Sequence, residues 1–531
     1  MDSSTFLVIA AIVALGTLIW DCVEVGRNDA ANLVNAVFGA RVISRRNAVW
    51  LAGLAVIIGA SLSTDVMETA RKGIFSPEML TIETAIIVYI TVYIVDTLLL
   101  YTYSAFGMPV STTASLVFEL VGASIGVSLT TTIVNWGKVG QVISAIIYSI
   151  LLSGLAGYLI QRAFRGAIRT KSQDHLTILV HGPWVAGLML SWLTWFMLVK
   201  GLKNVGIIQS FQSELIEAYG IIPVLLVIWG GYTLVIHLYL ALTGEKGSRS
   251  LFGITAVVGM MCMAFAFGQN DLANCASPGL SALWLWRHQG DGVAMATNVV
   301  IPVWALFGCG LLMVIGMTTK NAQRVTRAAV NTGSQFDRVA LYAPDWCQWI
   351  ARKLVRPGGA GLELAPQPEI DENAKKIHFD TLRASVITGV CASVIAFASS
   401  RGLPVSTTYV AFAAVITTGW ADRALTRGDS DLKIGRAIWV FFSWFLGAFV
   451  AMASSALLAV FILWLWKMGI GVIGLAIGLG GNIGLRFLVK KRSDRHEQIH
   501  HEAVSKRIRE DEIRTMQRAE KDRKGSVENG P

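Results

Sequence analysis

Charge is scarce in this chain of 531 residues: Asp, Glu, Lys and Arg together make up 15% of it, against 54% hydrophobic residues. Soluble domains are about one-quarter charged, so a soluble enzyme and a disordered chain are excluded. Buried volume grows only slowly with chain length, and this much apolar side chain needs a non-aqueous solvent. Cysteine is sparse too. The six (Cys22, Cys262, Cys275, Cys309, Cys347 and Cys391) are scattered without C-x-x-C spacing, which excludes a disulfide-stapled secreted domain. A P-loop Lys, an H-E-x-x-H and a G-x-S-x-G are all absent. An ATP-driven pump therefore lacks its nucleotide site, and a hydrolase built on Ser111 or Ser406 lacks an adjacent His base. His181, His237 and His288 show no metal spacing. No basic segment precedes the first apolar run, so that run is expected to be an uncleaved first span, not a signal peptide.

Apolar runs are what the chain has in quantity. They lie near 5–21, 48–66, 80–104, 109–128, 139–161, 176–199, 219–243, 250–267, 293–316, 380–400, 404–420, 437–466 and 469–489. Each approaches the ~20 residues that cross a bilayer. The expected fold class is an all-α polytopic membrane protein with about 12–13 transmembrane helices. Basic clusters orient it. They comprise Arg41, Arg45 and Arg46, then Arg162, Arg165, Arg169 and Lys171, then a crowd from Arg324 to Lys376, then Lys490, Lys491 and Arg492. All fall on one side, the cytoplasm, if the N-terminus is outside; Arg71 and Lys72 fall on the other. A net charge of +10 fits loops near anionic membrane lipid and not nucleic acid. Segment 319–379 is long, hydrophilic and partly Pro/Gly-rich, and is expected to be a cytoplasmic loop between two membrane halves. The expected division is a first repeat over 1–162, connecting helices over 163–249, and a second repeat in two parts, 250–318 and 380–489. A charged cytoplasmic tail follows over 490–531.

Duplication is the most informative signal. Residues 26–32 read GRNDAAN and residues 268–274 read GQNDLAN; residues 107–113 read GMPVSTT and residues 402–408 read GLPVSTT. Asp29 and Pro109 are 80 residues apart, Asp271 and Pro404 are 133 apart, and the excess is close to the length of the hydrophilic loop. Arg41, Arg45 and Arg46 follow the first N-D motif, whereas little positive charge follows the second. Opposite charge bias implies opposite orientation. Two inverted-topology repeats are therefore expected, with helix breaks or re-entrant segments at a midplane site.

The motif residues have chemistry that suits such a site. Asn28, Asp29, Asn32, Asn270, Asp271 and Asn274 lie in apolar surroundings, where a carboxylate costs ~2.5–3.5 kcal/mol at a helix centre. Asn28 and Asn32 are i,i+4, and Asp29 and Asn32 are i,i+3, so they share a face. Such groups usually face a partner or a water-filled cavity. In P-V-S-T-T, Pro can open a helix, and Ser111, Thr112, Thr113, Ser406, Thr407 and Thr408 then offer hydroxyls beside the N–H groups of a helix start. That is an oxyanion site without fixed positive charge. Carboxylates beside an anion repel it unless a cation arrives as well, so coupled binding is expected. Na⁺ on Asp29, Asp271, Asn28 and Asn270, or protons on the carboxyls, would supply the charge.

GRNDAANLVNAVFGARV and GQNDLANCASPG resemble the paired GANDVANA signatures of the inorganic phosphate transporter family of cation–phosphate symporters. The two P-V-S-T-T segments resemble that family's PVSTTH motifs, and METARKGI (67–74) resembles its ETIRKGI. The match covers roughly 5–160 and 250–490. The resemblance implies two inverted repeats, with the Asp, Asn, Ser and Thr positions named above forming phosphate and cation sites. The chain departs from the pattern in several places. The histidine after S-T-T is Ala114 in one half and Tyr409 in the other, and the alanine of G-A-N-D is Arg27 and Gln269. The glutamates that the family associates with cation coupling fall on Ala55 and Thr388. Other acids are candidates for that role: Asp21, Glu24, Glu68, Asp96 and Glu119. Arg27 is expected to form an ion pair with Asp29 or Glu24, the alternative being a charge-assisted contact to the anion.

The expected activity is import of inorganic phosphate with Na⁺ or H⁺ by alternating access, with no cofactor and no enzymatic step. Sulfate, another tetrahedral oxyanion, is the alternative substrate, and a transport-inactive scaffold or sensor is the alternative of another class. A homodimer is compatible with the sequence, and nothing in it requires one.

Overall fold

The computed structural model describes residues 3–63, 73–76, 79–168, 174–202, 206–288, 302–336, 339, 341–354, 377–426 and 429–498. Among the described residues, α-helices of ten residues or more order the chain: α1 Ser3–Gly39, α2 Arg45–Ala60, α3 Ile82–Ala105, α4 Thr112–Ser128 and α5 Trp136–Ala167. Then come α6 His175–Thr194, α7 Ile221–Thr243, α8 Glu245–Arg287, α9 Val303–Met317, α10 Lys320–Thr332 and α11 Asp345–Leu354. The last four are α12 Thr381–Ser399, α13 Thr407–Ala421, α14 Ser430–Lys467 and α15 Gly471–Gln498. Local chemistry sets many of the starts. Side chains of Ser44, Thr81, Asn135, Thr319 and Asp380 each cap a helix by accepting from the backbone N–H three residues on, which satisfies an otherwise orphaned donor.

Each of the thirteen apolar segments is mainly helical over its described residues. Among the described residues nine helices are long and apolar enough to cross a membrane, and a bent pair, α9 with α10 at 69°, makes up to ten. The shorter ones are α2, α4, α9 and α13, of 15 to 17 residues. α4 and α13 are short because each begins only after the Pro-Val-Ser extended stretch. α1 and α8 are longer than expected, 37 and 43 residues, so the N-D motifs sit inside continuous helices and not at their ends. Polar residues can stay helical there because their side chains find partners on other elements. α7 shows the outer surface: only Ile236 and Leu240 are buried, and its exposed Leu, Ile and Val suit contact with lipid. The chain is an integral membrane protein.

The hydrophilic stretch after Thr319 is more than a linker. α10 packs along α1 with Ala322, Val325, Thr326, Ala329 and Val330 buried, and its apolar residues recur at the 3–4 spacing of one helix face. Residues 355–376, which hold the Pro/Gly-rich part, lie outside the described residues, as do Glu68 and residues 499–531 of the tail. The chain forms one unit over 1–482, and residues 483–498 continue the helix that begins at Gly471.

Packing follows a repeated scheme. α1 packs along α9 and α8 along α2, while α4 packs along α14 and α13 along α5. The first residue of each N-D motif explains the close approach. A Cβ on Gly26 would overlap the Met313 carbonyl oxygen, and one on Gly268 would overlap the Val56 carbonyl oxygen. Glycines answer from the other side, Gly316 against Val23 and Gly59 against Phe265. Backbones this near are what small residues permit between membrane helices. Gly26→Ala and Gly268→Ala should each destabilise the protein by about 1–3 kcal/mol through overpacking. A thermal midpoint in detergent equal to that of the native protein would contradict this.

Candidate functional site

The site forms where α1 and α8 pass the starts of α4 and α13. Ser111 and Ser406 are the N-caps of those two helices. Each hydroxyl oxygen accepts from its own helix, from Ala114 N at 3.0 Å and from Tyr409 N at 3.1 Å. That leaves the N–H groups of Thr112, Thr113, Thr407 and Thr408 in the first turn, which have no intrahelical acceptor by geometry.

The first Asn of each motif fixes the approach to its own helix start. Asn28 Oδ1 accepts from Val110 N at 3.1 Å, and its amide donates to Ser104 Oγ at 3.0 Å and Met108 O at 3.3 Å. Asn270 Oδ1 accepts from Val405 N at 3.1 Å, and its amide donates to Val405 O at 2.6 Å and Asp271 Oδ1 at 3.3 Å. Both carboxamide oxygens hold a Val N–H of the Pro-Val segments, and the NH2 groups hold the neighbouring backbone and side chains, so these two residues position the site.

The second Asn crosses to the other half. Asn32 donates to Asp29 Oδ1 at 2.8 Å and to Thr408 Oγ1 at 2.9 Å. Asn274 donates to Asp271 Oδ1 at 2.9 Å and to Thr113 Oγ1 at 2.8 Å. The threonines return the link: Thr408 Oγ1 lies 3.0 Å from Val110 O and Thr113 Oγ1 lies 2.8 Å from Val405 O. These bonds of the second Asn and of its threonine have their counterparts in the other half, with the partners exchanged. The two carboxylates break the match. Asp271 accepts from Thr112 at 3.0 Å and from Thr407 at 2.7 Å, joining both helix starts. Asp29 accepts from Thr408 at 2.8 Å on one oxygen, and its other oxygen, Oδ2, is buried with no hydrogen-bond partner. Asn274 Oδ1 is likewise buried and unpartnered. Buried acceptors without donors are costly, and they suit a cation or a donor from a ligand. Among the described residues no three His, Cys, Asp or Glu side chains gather as a metal site, so a cation held here would rely on Asp, Asn and Thr oxygens, the oxygen donor set of a hard cation.

The departures from the motif pattern have structural readings. Arg27 pairs with Glu24 at 2.7 Å and not with Asp29, and its guanidinium lies over the Tyr101 ring. Tyr409 stacks on Trp444 with ring centroids 3.7 Å apart, and Trp444 donates to Pro109 O at 3.1 Å, so it braces the other half's helix start. Thr388 bonds within its helix and to Ala256 O of α8. Asp21, Asp96 and Glu119 lie together away from the N-D centre. Two groups were not legible as site residues. Ser104 anchors Asn28, and Ser115 touches both Asp96 and Glu119; for Ser115 the i,i+4 spacing to Glu119 was the available signal.

A polytopic helical membrane protein with a buried polar centre contributed equally by two repeated halves has the construction of a secondary transporter. The chain belongs to the phosphate transporter family: that family's model matches residues 25–331 and 370–455. A Thermococcus kodakarensis protein named "Putative phosphate permease" is 28% identical over 85% of this chain and 97% of its own length. A Helicobacter pylori protein of the same name is 26% identical over 82% of this chain and 72% of its own length. A solved structure titled "The sodium-dependent phosphate transporter" superposes with a TM-score of 0.62 at 22% identity, covering 87% of this chain and 99% of that one. That likeness establishes the fold.

Proposed function

We propose that this protein imports inorganic phosphate together with a cation, Na⁺ or H⁺, by alternating access between two inverted repeats. The observation that carries the reading is the exchanged pairing of Asp29, Asn32 and Thr408 with Asp271, Asn274 and Thr113. Each half completes the other's site, so rocking one half against the other would open the centre to alternate sides. Phosphate would bind at the two helix starts, using the first-turn N–H groups and the hydroxyls of Thr112, Thr113, Thr407 and Thr408. Asp29 and Asp271 would hold the cation that offsets the anion's charge. Affinity for each ion then rises when the other is bound. A hydrogenphosphate can also donate its proton to a carboxylate, which sulfate cannot do, so the acidic centre favours phosphate.

The test is ³²P-phosphate uptake into proteoliposomes under an imposed Na⁺ gradient or an imposed proton gradient, with unlabelled sulfate as competitor. Gradient-driven uptake that sulfate does not block is the expected result, and the productive gradient names the cation. Uptake under neither gradient would overturn the reading. Sulfate uptake in its place would keep the architecture and change the substrate, and silence toward both anions would favour a transport-inactive scaffold.

A further inference from the structure

A second buried polar cluster lies away from the phosphate centre and in the first half only. Asp21 of α1, Asp96 of α3 and Glu119 of α4 are all fully or almost fully buried, at 1%, 4% and 0% exposure. Ser115 sits between two of them, its Oγ 2.6 Å from Asp96 Oδ1 and 2.7 Å from Glu119 Oε1. A hydroxyl has one hydrogen and can donate to one acceptor only. Both distances are at or below the usual O–H···O separation. A proton on one of the carboxyls supplies the donor that the second contact lacks, so the cluster is built to accept one.

Asp21 supplies the independent observation. No donor among the described residues reaches either of its oxygens, although the side chain is buried and lies against Asp96, another carboxyl. Glu119 Oε2 is likewise unpartnered. Two ionised carboxyls facing each other are acceptors with nothing between them. A proton makes one a donor and joins them.

The repeat shows that the fold does not require these acids. In register with the N-D motifs, Asp21 corresponds to Met263. In register with the P-V-S-T-T motifs, Asp96, Ser115 and Glu119 correspond to Cys391, Val410 and Ala414. All four counterparts are buried in the core. The same packing is thus achieved with apolar or thiol side chains, and the acids are an addition peculiar to one half.

Placement ties the cluster to transport. Asp21 precedes Asn28 and Asp29 by seven and eight residues, and Ser115 and Glu119 follow Thr112 by three and seven. These spacings put Asp21 and Glu119 on the same helix faces as the site residues, about 10 Å further along each axis. The other ionisable groups that face Asp21 are Glu24, paired with Arg27, and Cys22 on α1, Tyr93 on α3 and Cys275 on α8. α14, which packs along α4, turns its buried cations elsewhere: Lys433 to Ala424 O, and Arg436 to Tyr342 O and Gly107 O.

We propose that Asp21, Asp96 and Glu119, gathered around Ser115, form a proton-binding site that takes up and releases the coupling proton of transport. A proton adds to a carboxylate oxygen on one side of the membrane and leaves as that carboxyl ionises on the other; no bond to phosphorus forms or breaks. The proposal rests on the phosphate-transport reading and takes its H⁺ alternative, with this cluster and not Asp29 and Asp271 binding the coupling proton.

The test compares two rates in proteoliposomes holding the full chain: ³²P-phosphate accumulation driven by a pH gradient, and ³²P-phosphate exchange at equal pH on both sides. In Glu119→Gln and in Asp96→Asn the ratio of accumulation to exchange should fall about tenfold or more. A ratio that stays within about twofold of native in both would overturn the proposal. Native protein that exchanges phosphate but ignores the pH gradient would overturn it too and leave the phosphate reading standing. Native protein that does neither would overturn both. Infrared spectra of the purified native protein give a readout free of folding effects on the variants. A protonated-carboxyl band at neutral pH that titrates with pH is expected, and no such band would overturn the proposal.

Discussion

Asp29→Asn should reduce gradient-driven phosphate uptake on the order of 10²-fold, within the usual range of coupling between linked binding events. The substitution keeps the shape of the side chain. Its amide oxygen can still accept from Asn32 and Thr408, the two donors that reach Asp29 Oδ1. The group that changes is Oδ2, which is buried and has no hydrogen-bond partner among the described residues. The variant therefore removes a charge and an open acceptor, and it leaves the hydrogen bonds of the fold in place. Its thermal midpoint should stay near native while uptake is lost. Asp271→Asn should be as inactive and less stable, because Asp271 accepts hydroxyls from both helix starts through its two oxygens. An Asp29→Asn protein that still accumulates phosphate at the native rate, with the same cation dependence, would remove Asp29 from the coupling site.

Arg165→Met should lower stability by about 3–5 kcal/mol, the usual result of stripping one partner from a buried ion pair. Arg165 Nε and Nη2 meet the two oxygens of Asp422 at 3.0 Å each, and Nη2 also pairs with Asp380. Gln161, one turn earlier on α5, donates to both Asp422 oxygens at 3.0 Å. Asp380 caps α12 through Arg383 N at 2.9 Å. The cluster thus clamps α5 to the end of α13 and the start of α12. Without the guanidinium, buried Asp422 and partly buried Asp380 lose the cation that contacts them directly. Arg165→Lys should recover only part of the loss, since an ammonium cannot make the two-pronged contact.

The pH dependence has a definite sign. Burial pushes the Asp380 carboxyl up, but Arg165, the Arg383 backbone N–H and Gln335 outweigh it and hold it below its ordinary value. Its contribution to native stability is therefore present above the unfolded value of about 3.9 and is lost as pH falls toward and below it. In Arg165→Met the push from burial remains and the main opposing charge is gone. Lowering the pH from 7 toward 5 should then narrow the stability gap between variant and native. Melting midpoints in detergent across that range measure it, and a gap that widens on acidification would refute the account.

Much of the centre could be read from residues alone. The thirteen apolar segments follow from composition, because a span is a local property of about twenty residues. The paired motifs marked Asn28, Asp29, Asn32 and the S-T-T residues together with their second-half counterparts. The sequence also left Arg27 a choice between Glu24 and Asp29. Only the placement of α1 against its neighbours gave the answer, Glu24. Arg165 and Asp422 read as one basic cluster and one unremarkable acid, 257 residues apart, since nothing local says that α5 and α13 lie side by side.

The sequence by itself determined that the chain lives in a membrane, that it is built twice, and which polar residues recur in both copies. Hydrophobicity, repeats and helical spacing are local or self-referential, and one chain carries them in full. The tertiary structure decided which oxygen is left unpartnered, which Asn positions and which one bridges, and that three acids without counterparts in the second half share Ser115. These depend on contacts between residues tens to hundreds of positions apart, and such contacts arise only when helices from the two halves pack together.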